Sequence, residues 1–140
     1  MKKLRIASIP GDGIGTEVIP AGIAVGQVAA ERFGFELEFT EFPWSCQTYL
    51  ETGAMMPEDG LEQLRPFDAI YLGAVGFPSV PDHVSLWGLL IPIRRQFEQY
   101  VNIRPVRLLK GITSPLANRG PEDIDFVVVR ENCEGEYSEA

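Results

Sequence analysis

The sequence predicts an α/β fold in which helices flank a parallel sheet, on three observations. Residues 4–9 form a short, nearly continuous apolar run, the pattern of a strand buried on both faces. A segment of helical period follows, with Val18, Ala21, Val25, Val28 and Ala29 recurring at the spacing of one helix face. Further strand-like runs then alternate with helical ones, and that order suits parallel pairing because parallel neighbours must be joined by a crossover.

Taken in order, the first strand ends at Pro10 and a glycine-rich turn. Thr16 is placed to cap the first helix, Pro20 falls near its first turn, and Gly34 stops it. Residues 35–42 set Phe35, Leu37 and Phe39 against Glu36 and Glu38, the period-2 pattern of a strand with one exposed face near a sheet edge. A turn and short helix around residues 57–64 lead to a buried strand over 68–75, which runs into Gly73 and Gly76. Leu86, Leu89, Leu90, Ile93, Phe97 and Tyr100 follow a helical period, with Pro92 either in the first turn or at a kink. Residues 101–109 read as extended, Pro105 favouring an edge; 111–121 as loop; and 126–129 as another buried strand. Residues 130–140, rich in glutamate and without a packing pattern, read as an interrupted chain.

Composition narrows the functional classes. With 140 residues and 45% hydrophobic content, the chain can bury a core. Twenty acidic against 12 basic residues give a formal net charge of −8, which opposes nucleic acid or an anionic membrane as partner. There is no apolar run near the roughly 20 residues that span a bilayer. Met1, Lys2, Lys3 and Leu4 lead into the first strand without a signal-peptide core, so the expected compartment is the cytoplasm. Cys46 and Cys133 lack metal-ligand spacing and read as reduced thiols.

Several groupings bear on chemistry. In Gly11-Asp12-Gly13-Ile14-Gly15, backbone N–H groups can approach an anionic ligand, and a tight structural turn explains the same glycines equally well. A dinucleotide fingerprint starting at Gly11 requires Gly or Ala at position 16; Thr16 stands there, so the Rossmann reading fails. Gly73-Ala74-Val75-Gly76 closes a buried strand at its carboxyl end, where open α/β sheets bind ligands, with a plain turn again the even alternative. Arg94, Arg95, Arg104, Arg107 and Arg130 lie beside apolar runs. Their planar forks match carboxylates, so converging arginines suit a di- or tricarboxylate, whereas pairing with the chain's own Asp and Glu is the plainer reading. Lone His83 reads as exposed, and Trp44 and Trp87 as packing residues.

Together, Pro10-Gly11-Asp12-Gly13-Ile14-Gly15, Arg94, Asn102-Ile103-Arg104-Pro105-Val106-Arg107, and Val129-Arg130-Glu131-Asn132 with Tyr137 resemble the β-decarboxylating dehydrogenase family, which includes isocitrate and 3-isopropylmalate dehydrogenases. The resemblance spans essentially the whole chain. Gly76-Phe77-Pro78 and the segment His83 to Arg95 look most like the tartrate and D-malate dehydrogenase branch. The isopropylmalate branch carries an acidic residue two before the Gly-Leu-Leu of this helix, whereas Leu86 and Trp87 precede Gly88 here.

The resemblance implies an isopropylmalate dehydrogenase-like α/β fold: a mixed sheet with flanking helices, not a Rossmann domain. Residues 1–100 would be the N-terminal part of the larger domain and 101–140 the start of the smaller, in a truncated chain. It implies NAD- and divalent-metal-dependent (Mg²⁺ or Mn²⁺) oxidative decarboxylation of a small 2-hydroxy diacid, D-malate or tartrate, by a homodimer. Arg94, Arg104 and Arg130 would hold substrate carboxylates, with Ser85 beside the substrate. Ile14, Gly73, Ala74, Val75 and Gly76 would contact the cofactor, and Tyr137 would act as general acid, with no metal ligand supplied by these 140 residues. The rivals are a 3-isopropylmalate dehydrogenase, a non-catalytic anion-binding or interaction module, and an inactive fragment.

Overall fold

A computed structural model describes residues 2–135. The chain divides into two compact units, residues 1–93 and 94–140.

The first unit is built on a three-stranded parallel sheet of order β2-β1-β3, formed by β1 (Lys2–Gly11), β2 (Phe35–Glu41) and β3 (Ala69–Ala74). Ile6 stands opposite Phe39 on one side and Ala69 on the other. The middle strand is the most buried: Ala7 and Ile9 are fully enclosed, the continuous apolar run having two faces to cover. β2 lies at an edge, and its alternation of half-buried Phe35, Leu37 and Phe39 with exposed Glu36 and Glu38 follows the period of the sequence.

Helix α1 (Gly15–Phe33) crosses from β1 to β2 and ends at Gly34, whose left-handed φ of 73° lets its N–H donate to the Ala30 carbonyl. Three sequence expectations for this helix are corrected. Thr16 does not cap it; Ile14 is the N-cap and the Thr16 hydroxyl donates to the Gly13 carbonyl. Pro20 lies within the helix, beyond the first turn. The Val18, Ala21, Val25 and Val28 stripe is exposed, and the packed face is Gly15, Ile19, Gly22, Gly26 and Ala30. A Cβ at Gly26 would touch Leu37 and Phe39, and one at Gly22 would overlap the Tyr71 ring. The missing side chains are what let the helix axis approach the sheet.

Between β2 and β3 lie α2 (Cys46–Thr52), which the sequence reading passed over, and α3 (Gly60–Leu64). Ser45 caps α2 by accepting from the Thr48 N–H at 3.1 Å, and Gly53 closes it in the left-handed region. Buried Trp44, Met55 and Leu64 join the core, and the Phe42 ring meets Trp44 at a tilt, centroids 4.6 Å apart, and Phe67 edge to face at 5.6 Å.

The helix expected over residues 86–100 runs instead over residues 82–96, as α4 (Asp82–Ser85), a π-helical turn (Leu86–Leu90) and α5 (Ile91–Gln96) in direct succession. The wide turn carries Ile91 N–H to the Leu86 carbonyl immediately ahead of Pro92, which has no N–H to donate. Tyr100 is outside any helix. Trp87 is 42% exposed, so of the two tryptophans only Trp44 is a buried packing residue.

In the second unit, β4 (Val101–Arg107) and β5 (Asp125–Glu131) form an antiparallel ribbon. Residues 126–129 were expected to be buried, yet Phe126, Val127, Val128 and Val129 are all exposed. Their apolar run is a property of the strand, and among the described residues no second layer covers it.

Candidate functional site

In the first unit, β1 and β3 are parallel, so their carboxyl ends bring the two glycine turns side by side. Gly11, at φ 72°, has no room for a side chain, since a Cβ there would lie 2.1 Å from the Ala74 carbonyl oxygen. A Cβ at Gly15 would fall 2.0 Å from the Pro10 oxygen, and one at Gly73 2.2 Å from the same atom. The Asp12 N–H donates to the Ala74 carbonyl at 2.6 Å. These glycines are therefore explained by backbone packed on backbone. The plain-turn reading accounts for Gly11, Gly15 and Gly73.

What remains open to a ligand is the flank of that interlock. Ile14 is 66% exposed at the head of α1, and a Cβ at Gly13 or Gly76 would meet nothing. Ala74 and Val75 are half-buried, and Ala74 offers its carbonyl inward to Asp12. The open flank lies outside the carboxyl ends of parallel strands, the position where such sheets bind ligands.

Asp12, which the sequence reading passed over as part of the turn, is 5% exposed. Its carboxylate accepts from the backbone N–H groups of Cys46 at 3.0 Å, Gln47 at 3.4 Å and Gly76 at 3.2 Å. A buried carboxylate needs such donors, and here they come from two distant segments. Burial, and then the neighbouring Asp12 carboxylate, pushes the Cys46 thiol up to about 11, so it stays protonated at neutral pH. Ser85 is buried, and its hydroxyl donates to the Asp82 carbonyl at 3.1 Å within its own helical turn.

In the second unit the ribbon register decides which arginines meet. Asn102 faces Arg130 and Arg104 faces Val128, so Arg104 and Arg130 are diagonal neighbours on one face, about 7–8 Å apart at the backbone. Arg104 donates to the Asn102 side chain at 3.4 Å. Arg107 instead meets its register partner Asp125 at 3.7 Å, an exposed internal pair of the plainer kind. Arg94 lines a cavity of about 490 Å³ with Gln99, Asn102 and Asn132. Buried Asn132 ties this region together, donating to the Gln99 carbonyl at 3.0 Å and accepting from Asn102 at 3.5 Å. Arg94 anchors the same segment through its backbone carbonyl, which accepts from Gln99 N–H and from the Cys133 thiol. Tyr137 lies outside the described residues. Among the described residues no three His, Cys, Asp or Glu side chains cluster as a metal site would require.

The fold of this chain also appears among solved structures. The chain is similar to the apo crystal structure of a β-decarboxylating dehydrogenase from Thermococcus kodakarensis, with a TM-score of 0.65 and 30% identity, covering 94% of this chain and 35% of that one. Residues 5–140 match the isocitrate/isopropylmalate dehydrogenase family, and the chain belongs to that family. It is 64% identical over 140 residues to the D-malate dehydrogenase [decarboxylating] of Escherichia coli, covering 99% of this chain and 39% of that protein. It is 63% identical over 136 residues to a tartrate dehydrogenase/decarboxylase of Pseudomonas putida, covering 96% and 37% respectively. The chain thus spans under two fifths of the length of these relatives.

Proposed function

We propose that the protein carrying this chain is an NAD-linked, divalent-metal-dependent dehydrogenase that oxidises and decarboxylates a small 2-hydroxy diacid, D-malate or tartrate. The observation that carries the reading is the diagonal placement of Arg104 and Arg130 on one ribbon face, two planar forks spaced to engage separate carboxylate groups. The names of the two relatives, at 64% and 63% identity, support the substrate class.

In this reading Arg94, Arg104 and Arg130 hold the carboxylates and fix which of them leaves as carbon dioxide, and Ser85 lies beside the substrate. Residues Ile14, Gly73, Ala74, Val75 and Gly76 would hold the dinucleotide, which when bound would supply the hydride acceptor for oxidation at C2. Tyr137 protonates the carbon left by decarboxylation; a phenol whose ordinary pKa is about 10 needs positive charge to do so readily, and that charge is assigned to Arg130. In this reading the Mg²⁺ or Mn²⁺ ligands are none of the residues named here. Residues 1–100 serve the larger domain and 101–140 begin the smaller, in a cytoplasmic homodimer.

The test is initial-rate NAD reduction by the intact gene product with Mn²⁺ and, in turn, D-malate, the tartrate isomers, isocitrate and 3-isopropylmalate. Preference for D-malate or tartrate upholds the proposal, and preference for 3-isopropylmalate moves the protein to that branch. Binding of dicarboxylates without turnover of any substrate leaves the anion-binding module standing.

A further inference from the structure

We propose that Asp12 is a positioning residue for the cofactor flank: its buried carboxylate clamps Gly76 to the start of α2 and so holds the turn at residues 73–76 in the shape that meets the dinucleotide. The inference rests on the functional reading above for the identity of the ligand, and on geometry for the clamp itself. Gly76 lies outside any strand or helix, its φ is 149°, and there is open space on its Cβ side. A glycine so unconfined has wide backbone freedom, and ordering it carries an entropic cost. Against that stands the hydrogen bond from Gly76 N–H to Asp12 Oδ2 at 3.2 Å. The same oxygen takes the Cys46 N–H at 3.0 Å, and Oδ1 takes Gln47 N–H at 3.4 Å. Asp12 is itself fixed from behind, because its own N–H is bonded to the Ala74 carbonyl.

One side chain therefore spans the first glycine turn, the second glycine turn and α2. A carboxylate satisfies all three donors, whereas an amide satisfies only the two that meet Oδ2 and opposes the third. Three N–H donors converge on two oxygens, and replacing one oxygen by NH₂ sets donor against donor in a buried place where bonds to charge are strongest.

The experiment uses the intact gene product and its Asp12→Ala variant, which removes both acceptor oxygens, with folding checked by circular dichroism. Two readouts are needed: the Kd of NADH by fluorescence titration alongside the steady-state KM for NAD and kcat, and amide hydrogen exchange at Gly76 and Cys46. In the unmodified protein the Gly76 amide should be protected despite its loop position. In the variant its exchange should accelerate, and Kd and KM should rise about tenfold or more with kcat within about threefold, the size expected for losing a charge-assisted bond that orders a binding loop. Exchange of Gly76 at the unprotected rate in the unmodified protein overturns the clamp even if the variant does not fold. A folded variant with unchanged NADH affinity overturns the positioning role. Failure of the unmodified protein to bind NADH at all, with Gly76 protected, refutes the functional reading while leaving the clamp intact.

Discussion

Two buried side chains test how polar groups are accommodated in this core. Ser8 is 1% exposed in the central strand, and its hydroxyl has no hydrogen-bond partner. An unsatisfied buried hydroxyl carries a desolvation cost that alanine does not. Ser8→Ala should therefore be neutral or stabilising by up to about 1 kcal/mol, read as the shift in urea midpoint of the intact protein. A loss of more than that shows that the hydroxyl is bonded in solution. Cys46 is the second case. Its thiol pKa rises from 9.0 to about 11 through burial and then the Asp12 carboxylate. Between those values the folded state retains a proton that the unfolded state releases. This contribution to stability is therefore complete below pH 9 and lost as pH rises towards 11. Two measurements follow: Cys46 should resist iodoacetamide at pH 8 in the native protein, and Cys46→Ala should flatten the fall in stability over that alkaline window.

At the scale of elements, the approach of α1 to the sheet is set by glycine. A Cβ on Gly22 would sit 1.8 Å from the Tyr71 hydroxyl oxygen, the far end of a side chain that can be shortened. Gly22→Ala is expected to destabilise by about 1–3 kcal/mol through overpacking. Tyr71→Phe should restore part of that loss, so a double-mutant cycle with additive effects would show that the two do not meet. The ribbon makes a functional prediction of the same kind. Arg130→Gln should raise KM for the diacid by about one to two orders of magnitude and erode discrimination against a 2-hydroxy monoacid, since a bond between charges is lost. Arg107→Gln, with its exposed Asp125 partner, should change neither by more than about twofold. Strand positions were legible in the sequence because β1 and β2 carry clear apolar patterns, whereas the β4–β5 register that makes Arg104 and Arg130 diagonal neighbours had no local signal. The face of α1 was misread because valines carry hydropathy and glycines carry none, although contact here depends on what is missing. The signal for α2 was present in Ser45, three residues before Thr48, and in Gly53. Asp12 offered no such signal, because its partners lie 34, 35 and 64 residues away in sequence.

For the whole molecule, the decisive feature is how unevenly apolar surface is covered. Single exposed hydrophobic residues are ordinary; contiguous ones are not. On α1, Val25, Val28 and Phe33 are 71%, 65% and 73% exposed, and on the ribbon Ile103, Val127 and Val129 reach 64%, 58% and 70%. The register places Ile103 directly opposite Val129 with Val127 next along the same face, so the ribbon residues form a continuous patch. A two-stranded ribbon is marginal in water without a covering layer, whereas the parallel sheet holds fully buried Ala7 and Ile9. Produced as these 140 residues alone, the chain should bind a hydrophobic dye such as ANS. Its amides in β4 and β5 should exchange within the time that those of residues 6–9 remain protected, because local opening of the ribbon exposes little that is not already in water. A monomeric chain with no dye signal and with β4 and β5 as protected as β1 would contradict this account of where its stability resides.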